Sequence, residues 1–166
     1  RLKGLLGEHF YIHVDAVQAP GKIRQWQTLK NADIYSFSSH KMGALKGCGF
    51  SFFRSSIPFL PLMTGGGQQE NLRSGTENTM GVIATSLALK DLQCLDFDLK
   101  DQYRNRLVKY LSEKLSSMGA VVDFKNVASN TIYFYFKNLS SDFTLTLFDL
   151  HGIELSPGSA CASGTS

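Results

Sequence analysis

The sequence lacks the long apolar runs of a membrane protein. No run approaches the roughly 18 consecutive apolar residues that a transmembrane helix needs. The first residues also lack the charged, apolar and small-residue order of a signal peptide. We therefore expect a soluble chain without a membrane partner, in a cytoplasmic compartment.

Cysteine and clustered positive charge are also scarce. Only 3 cysteines occur, and an odd, scattered set does not resemble a disulfide framework, so free thiols are expected. The 17 basic and 14 acidic residues give a net charge of +3. Because the basic residues are not gathered into a stripe, nucleic acid is not expected as a partner, whereas small anions remain plausible ligands.

The first half of the chain does contain β-prone segments that end on polar residues. The alternating segment 9–14 leads to Asp15, and segment 33–38 leads to Ser39-His40-Lys41. A third segment covers 49–53. Since open α/β sheets place their sites at the carboxyl ends of strands, we expect a site there.

Helical periodicity follows a loop rich in glycine and proline. Apolar residues recur at helical spacing over 80–88, which would place Thr76 at a helix start suited to an anion. Over 99–115 apolar residues recur every fourth position, which predicts an amphipathic helix. We place a domain boundary before it, giving domains 1–96 and 97–166.

The second domain is predicted as an α+β layer. The expected elements are strands over 121–124, 131–136 and 153–155, with a short helix over 142–150. The layer ends in a loop of small residues that carries Cys161. The fold class is thus α/β, with a mostly parallel sheet and helices, followed by a small α+β domain.

Lys41 is the first candidate catalytic residue. An isolated lysine is usually a solvated surface charge. Here Ser38, Ser39 and His40 precede it and could bind a phosphate, which leaves the amine free to condense with an aldehyde. Such a lysine benefits from partial burial and neighbouring cations, which lower the pKa of an amine.

Asp15 is the second candidate. A carboxylate at the end of an apolar strand needs a partner, because burying it alone is costly. A capping or ion-paired role and a cofactor role are about equally plausible. In the cofactor role, Asp15 pairs with the protonated ring nitrogen of pyridoxal 5′-phosphate (PLP), and Gln18 reaches the ring hydroxyl.

Cys161 differs from the other two cysteines. Cys48 and Cys94 have apolar or glycine neighbours and are expected to be buried and inert. Cys161 lies in a flexible, polar loop of small residues, where a thiolate gains access rather than packing. We therefore expect Cys161 to be a nucleophile.

Five strings of the sequence occur in an order that resembles the NifS/IscS-type cysteine desulfurases, which are PLP-dependent enzymes of fold-type I. The strings are Val14-Asp15-Ala16-Val17-Gln18, Ser36-Phe37-Ser38-Ser39-His40-Lys41, Gly65-Gly66-Gly67, Arg73-Ser74-Gly75-Thr76-Glu77-Asn78 and Gly158-Ser159-Ala160-Cys161. Each string alone is weak evidence, but five in order are specific. The resemblance extends over nearly the whole chain.

The resemblance implies a set of cofactor contacts. Lys41 holds PLP as a Schiff base, Asp15 pairs with the pyridine nitrogen and Gln18 contacts the ring oxygen. Ser38 and His40 bind the phosphate. Thr76 reaches the phosphate of the partner subunit in a homodimer. No residue is expected to bind a metal.

The resemblance also implies the reaction. Cys161 takes the sulfur of L-cysteine as a persulfide, L-alanine leaves, and the sulfur passes to an acceptor such as a scaffold for iron–sulfur cluster assembly. The family's ring-stacking His, an Asn near the ring oxygen and the substrate-binding Arg have no counterpart here. We therefore expect a fragment without the N-terminal half and the C-terminal end of the enzyme, inactive on its own.

Three alternatives remain open. Another PLP enzyme, such as a selenocysteine lyase or an aminotransferase, would share Asp15 and Lys41, although an aminotransferase has no use for a loop cysteine. His13, Asp15 and His151 mimic the two-His-one-carboxylate pattern of non-haem iron oxygenases, but that fold is all-β. A non-catalytic scaffold fragment is disfavoured because Lys41, Asp15 and Cys161 are all present.

Overall fold

A computed structural model of the chain describes residues 10–24, 26, 31–123 and 131–158. The chain divides into two compact units, Arg1–Phe97 and Asp98–Ser166. The assignment of the two units to a cofactor-binding large domain and a small domain stays a prediction.

The first unit contains a three-stranded sheet in the order β1-β2-β3. Its strands are β1 (His13–Asp15), β2 (Ile34–Ser38) and β3 (Gly49–Phe53). β1 and β2 are parallel, whereas β2 and β3 are antiparallel. The ten residues that join β2 to β3 are too few for the crossover that a parallel neighbour requires, so the chain turns back.

Alternation along the strands gives the sheet two different faces. Phe37, on one face, stacks on Phe50 with ring centroids 4.8 Å apart and meets Trp26 edge-on at 5.9 Å. The core on that face also contains Ala16, Ala19, Met42 and Ala88. The opposite face has serine at three positions, Ser36, Ser38 and Ser51. Burial therefore fixes which residues of each strand point away from the core.

Helix α1 spans Thr79–Gln93 and packs on the apolar face of the sheet through residues such as Ala88 and Leu92. Its N-cap is Asn78, whose side-chain oxygen accepts from the Gly81 amide at 3.0 Å. The observed cap therefore lies two residues after the predicted one, Thr76, which lies in the preceding loop.

The second unit begins within helix α2, which spans Phe97–Ser117. A two-stranded antiparallel sheet follows, made of β4 (Val121–Asp123) and β5 (Tyr133–Tyr135), and then helix α3 (Ser141–Asp149). The strand predicted over 153–155 is not formed in the described residues. Instead, the Ile153 amide donates to the Phe148 carbonyl at 3.0 Å and closes a turn after α3.

The α/β class predicted from the sequence is confirmed by sheets and helices in this order and by the structural similarities reported below. Among the described residues, no helix combines the length and apolar character needed to cross a membrane.

Candidate functional site

Lys41 lies on a 3-10 turn, Ser39–Met42, directly after β2. Three residues make one turn of such a helix, so Ser39 and Met42 share one side and are both buried. His40 and Lys41 lie on the other side and are exposed. The turn thus exposes the amine and the imidazole to solvent on one side, while its other side is buried.

Ser39 anchors this turn to the rest of the unit. Its side chain is 1% exposed, and its hydroxyl shares a 2.8 Å hydrogen bond with the Thr85 hydroxyl of α1. Its amide donates to the Cys48 carbonyl at 3.0 Å. Gly43 ends the turn at φ 96°, a left-handed conformation that glycine adopts without strain. The backbone of Lys41 is therefore held by neighbours on both sides.

Ser38 and His40 form a polar pair beside Lys41. The Ser38 hydroxyl lies 2.9 Å from His40 Nδ1, which leaves Nε2 of the ring directed elsewhere. With a neutral ring, this bond leaves the pair one donor for an anion, either the His40 Nε2–H or the Ser38 O–H, and both groups donate once the bond between them opens. This geometry is suited to the phosphate role expected from the sequence.

Asp15 ends β1 on the side of the sheet where β2 delivers Lys41. The register pairs Asp15 with Ser36, and the Ala16 amide donates to the Ser36 carbonyl at 2.9 Å. One Asp15 oxygen accepts from the Val17 amide at 3.2 Å, and the other has no partner among the described residues. Asp15 is exposed, so its carboxylate avoids the cost of burying a charge without a partner.

The turn after Asp15 has a buried backbone. Ala16, Ala19, Pro20 and Gly21 are all buried. Gly21 adopts φ 69°, and a Cβ built there would lie 2.6 Å from a methyl group of Leu92, so the turn packs closely on α1. Successive backbone bonds tighten it, among them Ala19 N to Ala16 O at 2.9 Å. Gln18 projects outward from this rigid frame and is exposed.

Lys22 is a site residue that the sequence did not indicate. Its ammonium donates to the Gln18 side-chain oxygen and to the Lys41 carbonyl, the latter at 3.3 Å. It therefore joins two residues that had been predicted separately as cofactor ligands. The spacing of four residues from Gln18 was the available signal, since a helical turn brings such positions together.

A second unpredicted feature crosses the polar face of the sheet. His13 Nε2 lies 2.8 Å from the Ser36 hydroxyl, and that hydroxyl lies 3.2 Å from the Ser51 hydroxyl. These bonds link the three strands side by side. They hold the ends of β1 and β2, and hence Asp15 and Ser38, in register.

Thr76 lies in an ordered loop without a side-chain partner among the described residues. The neighbouring Gly75 amide donates to the Gln68 side chain at 3.1 Å, and Gln69 donates to Glu77 at 2.7 Å. The loop thereby leaves the Thr76 hydroxyl exposed. Its expected contact with a partner subunit stays a prediction.

Two of the three cysteines, Cys48 and Cys94, lie in the part of the chain that the structure describes. Cys161 lies outside the described residues. Cys48 is half-buried, and its sulfur accepts from the Asn78 side-chain amide at 3.3 Å. Cys94 is exposed at the end of α1, so the prediction that it is buried is wrong. A position between apolar neighbours did not reveal that the helix ends there.

The described residues fit PLP in three respects. The Lys41 amine has no partner among them, as condensation with an aldehyde requires, and it is exposed rather than partly buried. A carboxylate oxygen of Asp15 is available to a protonated ring nitrogen. The Ser38–His40 pair is available to a phosphate. No group of three or more potential metal ligands is found in the same described part of the chain.

Comparison with known proteins identifies the family of the chain. Residues 5–165 match the model of the family described as aminotransferase class-V. A cysteine desulfurase of Sinorhizobium fredii is 35% identical over 91% of this chain. The cysteine desulfurase IscS of Dictyoglomus turgidum is 33% identical over 93% of it. The chain spans 40% of the length of each of these relatives.

Solved structures give the same result. A NifS-like protein superposes with a TM-score of 0.72 and 30% identity, covering 88% of this chain and 40% of its own. A NifS-like protein from Rickettsia africae superposes with a TM-score of 0.71 and 27% identity, covering 89% of this chain and 41% of its own. The fold of the chain is therefore that of part of a NifS-like protein.

Proposed function

The chain belongs to the aminotransferase class-V family, and we propose that it is the part of a PLP-dependent cysteine desulfurase that carries the cofactor lysine and the sulfur-accepting cysteine. One observation carries this proposal above the others. Adjacent parallel strands end on Asp15 and on the turn that presents Lys41, so a carboxylate and an amine without a partner among the described residues lie at one edge of the sheet.

Each candidate has a role in this proposal. Lys41 holds the cofactor and, once released, acts as the base for the α-proton of the substrate. Asp15 holds the ring nitrogen protonated, and Gln18 donates to the ring oxygen. Ser38 and His40 donate to the phosphate. When bound, PLP supplies an electron sink for the carbanion chemistry of an amino acid.

Cys161 is the sulfur acceptor in this proposal. Its thiol takes the sulfur of L-cysteine, so that a carbon–sulfur bond breaks, a sulfur–sulfur bond forms and L-alanine leaves with the proton. The persulfide then passes its outer sulfur to an acceptor protein, such as a scaffold for iron–sulfur clusters. This role requires a thiol that can reach two partners in turn, the substrate and the acceptor protein.

The proposal includes the surroundings of the chain. We assign 1–96 to the cofactor-binding large domain and 97–166 to the small domain, within a cytoplasmic homodimer in which Thr76 reaches the partner's phosphate. The chain spans 40% of its relatives' length. For that reason we expect it to need the remaining part of such an enzyme for activity.

The test uses the full-length protein that contains this chain. Lys41→Ala should lower sulfide and alanine release from L-cysteine by at least about a hundredfold, which is the contribution of a positioned base, and should remove the visible absorbance of bound PLP. Cys161→Ala should keep the absorbance and lose sulfide release. Lys109→Ala, which alters an exposed lysine of α2, is the control and should match the wild type.

Two results would contradict the proposal. One is covalent PLP retained by the Lys41→Ala protein. The other is sulfide released at the wild-type rate by the Cys161→Ala protein. Release of a keto acid instead of alanine would favour an aminotransferase.

A further inference from the structure

Lys22 joins two residues of the proposed cofactor site that are 23 positions apart in sequence. Its ammonium donates to the side-chain oxygen of Gln18 and, at 3.3 Å, to the backbone carbonyl of Lys41. Gln18 belongs to the turn after β1, whereas Lys41 belongs to the turn after β2. Lys22 is therefore a tie between the two strand ends that form the site.

The chemistry of an ammonium group fixes which way the Gln18 amide faces. A lysine ammonium has three donors and no acceptor, so the atom that meets it is the amide oxygen. The amide NH2 of Gln18 is then directed away from Lys22. Without such a partner, rotation about the last side-chain bond can bring either the oxygen or the NH2 group of a glutamine to the same position.

Hydrogen bonds and packing hold the backbone around Lys22, so its side chain extends from a defined position. The Lys22 amide donates to the Ala19 carbonyl at 3.1 Å, within a turn whose backbone is buried. The preceding Gly21 packs against Leu92 of α1. Because the side chain of Lys22 is itself half-buried, it has less freedom to leave its two acceptors than a fully exposed lysine.

We propose that Lys22 is a positioning residue of the cofactor site: it holds the oxygen of the Gln18 amide, so that the NH2 group is the one offered to the ring oxygen of PLP. The same ammonium holds the Lys41 carbonyl and so fixes the turn from which the Lys41 amine extends. The effect on PLP binding rests on the proposed function. The ordering of the Gln18 amide by Lys22 does not.

The first experiment needs no cofactor. In the full-length protein prepared without PLP, the side-chain amide of Gln18 is followed by 15N–1H NMR in the wild type and in Lys22→Met, Lys22→Arg and Lys109→Met. The Gln18 amide should be ordered in the wild type, mobile in Lys22→Met and ordered again in Lys22→Arg, because a guanidinium can also donate to both oxygens. An equally ordered amide in Lys22→Met would overturn the proposal.

The second experiment measures PLP in the full-length protein. Lys22→Met should bind PLP about tenfold more weakly, the effect of one lost hydrogen bond to a charged group, and should shift its visible band. Lys22→Arg should stay within about threefold of the wild type. Gln18→Glu should weaken PLP binding as much as Lys22→Met does, because a carboxylate keeps the contact with Lys22 but cannot donate to the ring oxygen.

The outcomes separate the two proposals. Wild-type affinity and absorbance in Lys22→Met would overturn the positioning role while leaving the proposed function intact. A wild-type protein that takes up no PLP would refute the proposed function and the cofactor half of this inference. The NMR series would still decide whether Lys22 orders Gln18. Circular dichroism of each variant checks that the chain is folded.

Discussion

The two units of the chain differ in how completely they bury their apolar residues. In the first unit, Phe37 is 6% exposed and lies among aromatic rings and the small residues of α1. In the second unit, the buried apolar residues described are only Leu115 and Ala120. Helix α2 shows this most clearly. Its apolar stripe is mostly exposed, at Leu99, Tyr103, Leu107 and Leu111.

This difference shows what hydrophobic periodicity predicts and what it leaves open. A spacing of four predicts an amphipathic helix, and α2 does form over that segment. The pattern does not say what covers the apolar side, because that depends on other parts of the protein. In the first unit the sheet covers α1 at Ala88 and Leu92, whereas Met80, Ile83 and Leu87 of the same helix are exposed. The proposed site, built from buried turns, lies in that well-packed unit.

Phe37→Ala should have the largest effect on stability. Removing a buried phenyl ring should lower the free energy of unfolding by about 3–5 kcal/mol, because the stacked Phe50 and the edge-on Trp26 would line a cavity. Trp26 is the only tryptophan, so its fluorescence reports on the first unit. Denaturant titration followed by fluorescence measures the change.

Leu107→Ala is the matched variant in the second unit. Leu107 is 44% exposed, so the change should stay within about 0.5 kcal/mol and should leave the fluorescence transition in place. If both variants lost the same stability, α2 would be as well packed as the sheet. The comparison between the two units would then fail.

Gly81→Ala should have the next largest effect, because it probes the contact between α1 and the turn before β3. A Cβ at Gly81 would lie 1.8 Å from the Cys48 sulfur, so the helix would have to shift. We expect a loss of about 1–3 kcal/mol despite the better helix propensity of alanine. The measurement is again denaturant unfolding followed by Trp26 fluorescence.

Gly119→Ala is the corresponding change in the second unit. No atom of the described residues lies within 4 Å of a Cβ at Gly119, but φ is 86°, so the left-handed backbone opposes the change. The cost should be about 1 kcal/mol. Adding Cys48→Ala to Gly81→Ala should restore much of the stability that Gly81→Ala loses, because the Cys48 sulfur is then gone. Equal recovery by an unrelated change such as Lys109→Ala would refute the steric explanation.

Sequence patterns predicted the strands and helices that are indicated by the residue types within and next to them. β3 was predicted over 49–53, where the structure has it, because aromatic residues there are bounded by glycine and a charge. The predicted cap, Thr76, lies two residues before the observed one, since both Thr76 and Asn78 are good caps and only the structure shows that Asn78 accepts from Gly81. The segment 153–155 is β-prone but lacks a neighbouring strand in the described residues.

The candidate site was predictable as far as single residues carry chemistry. Lys41, Asp15 and the Ser38–His40 pair could be found because an amine, an acid and phosphate donors each have a recognisable place after a strand. Lys22 could not be found in this way. Its role depends on the distance between two turns that the sheet brings together, and this distance is not written in local sequence.

Lys100→Met should have the smallest effect. It tests a lysine of α2 whose pKa is lowered by burial. Burial of the ammonium lowers the pKa of Lys100 below its ordinary value of 10.5; the Asp101 carboxylate opposes this shift and the Arg104 guanidinium adds to it. Lys100 also lies in the first turn of α2, where the helix dipole disfavours a cation.

The sign of the pH dependence follows from this lowered pKa. Below the folded-state pKa, Lys100 is charged in both states and its full penalty is present, so Lys100→Met should stabilise the chain at pH 7. Since the residue keeps much contact with water, the gain should be at most a few tenths of a kcal/mol. As the pH rises through the folded-state pKa towards 10.5, the unfolded chain holds more protons, wild-type stability recovers and the gain disappears. Urea unfolding of both proteins at pH 7 and above pH 10, followed by circular dichroism, measures the difference. A gain of the same size at both pH values would show that apolar contacts of the new methionine, not removal of a desolvated charge, stabilise α2.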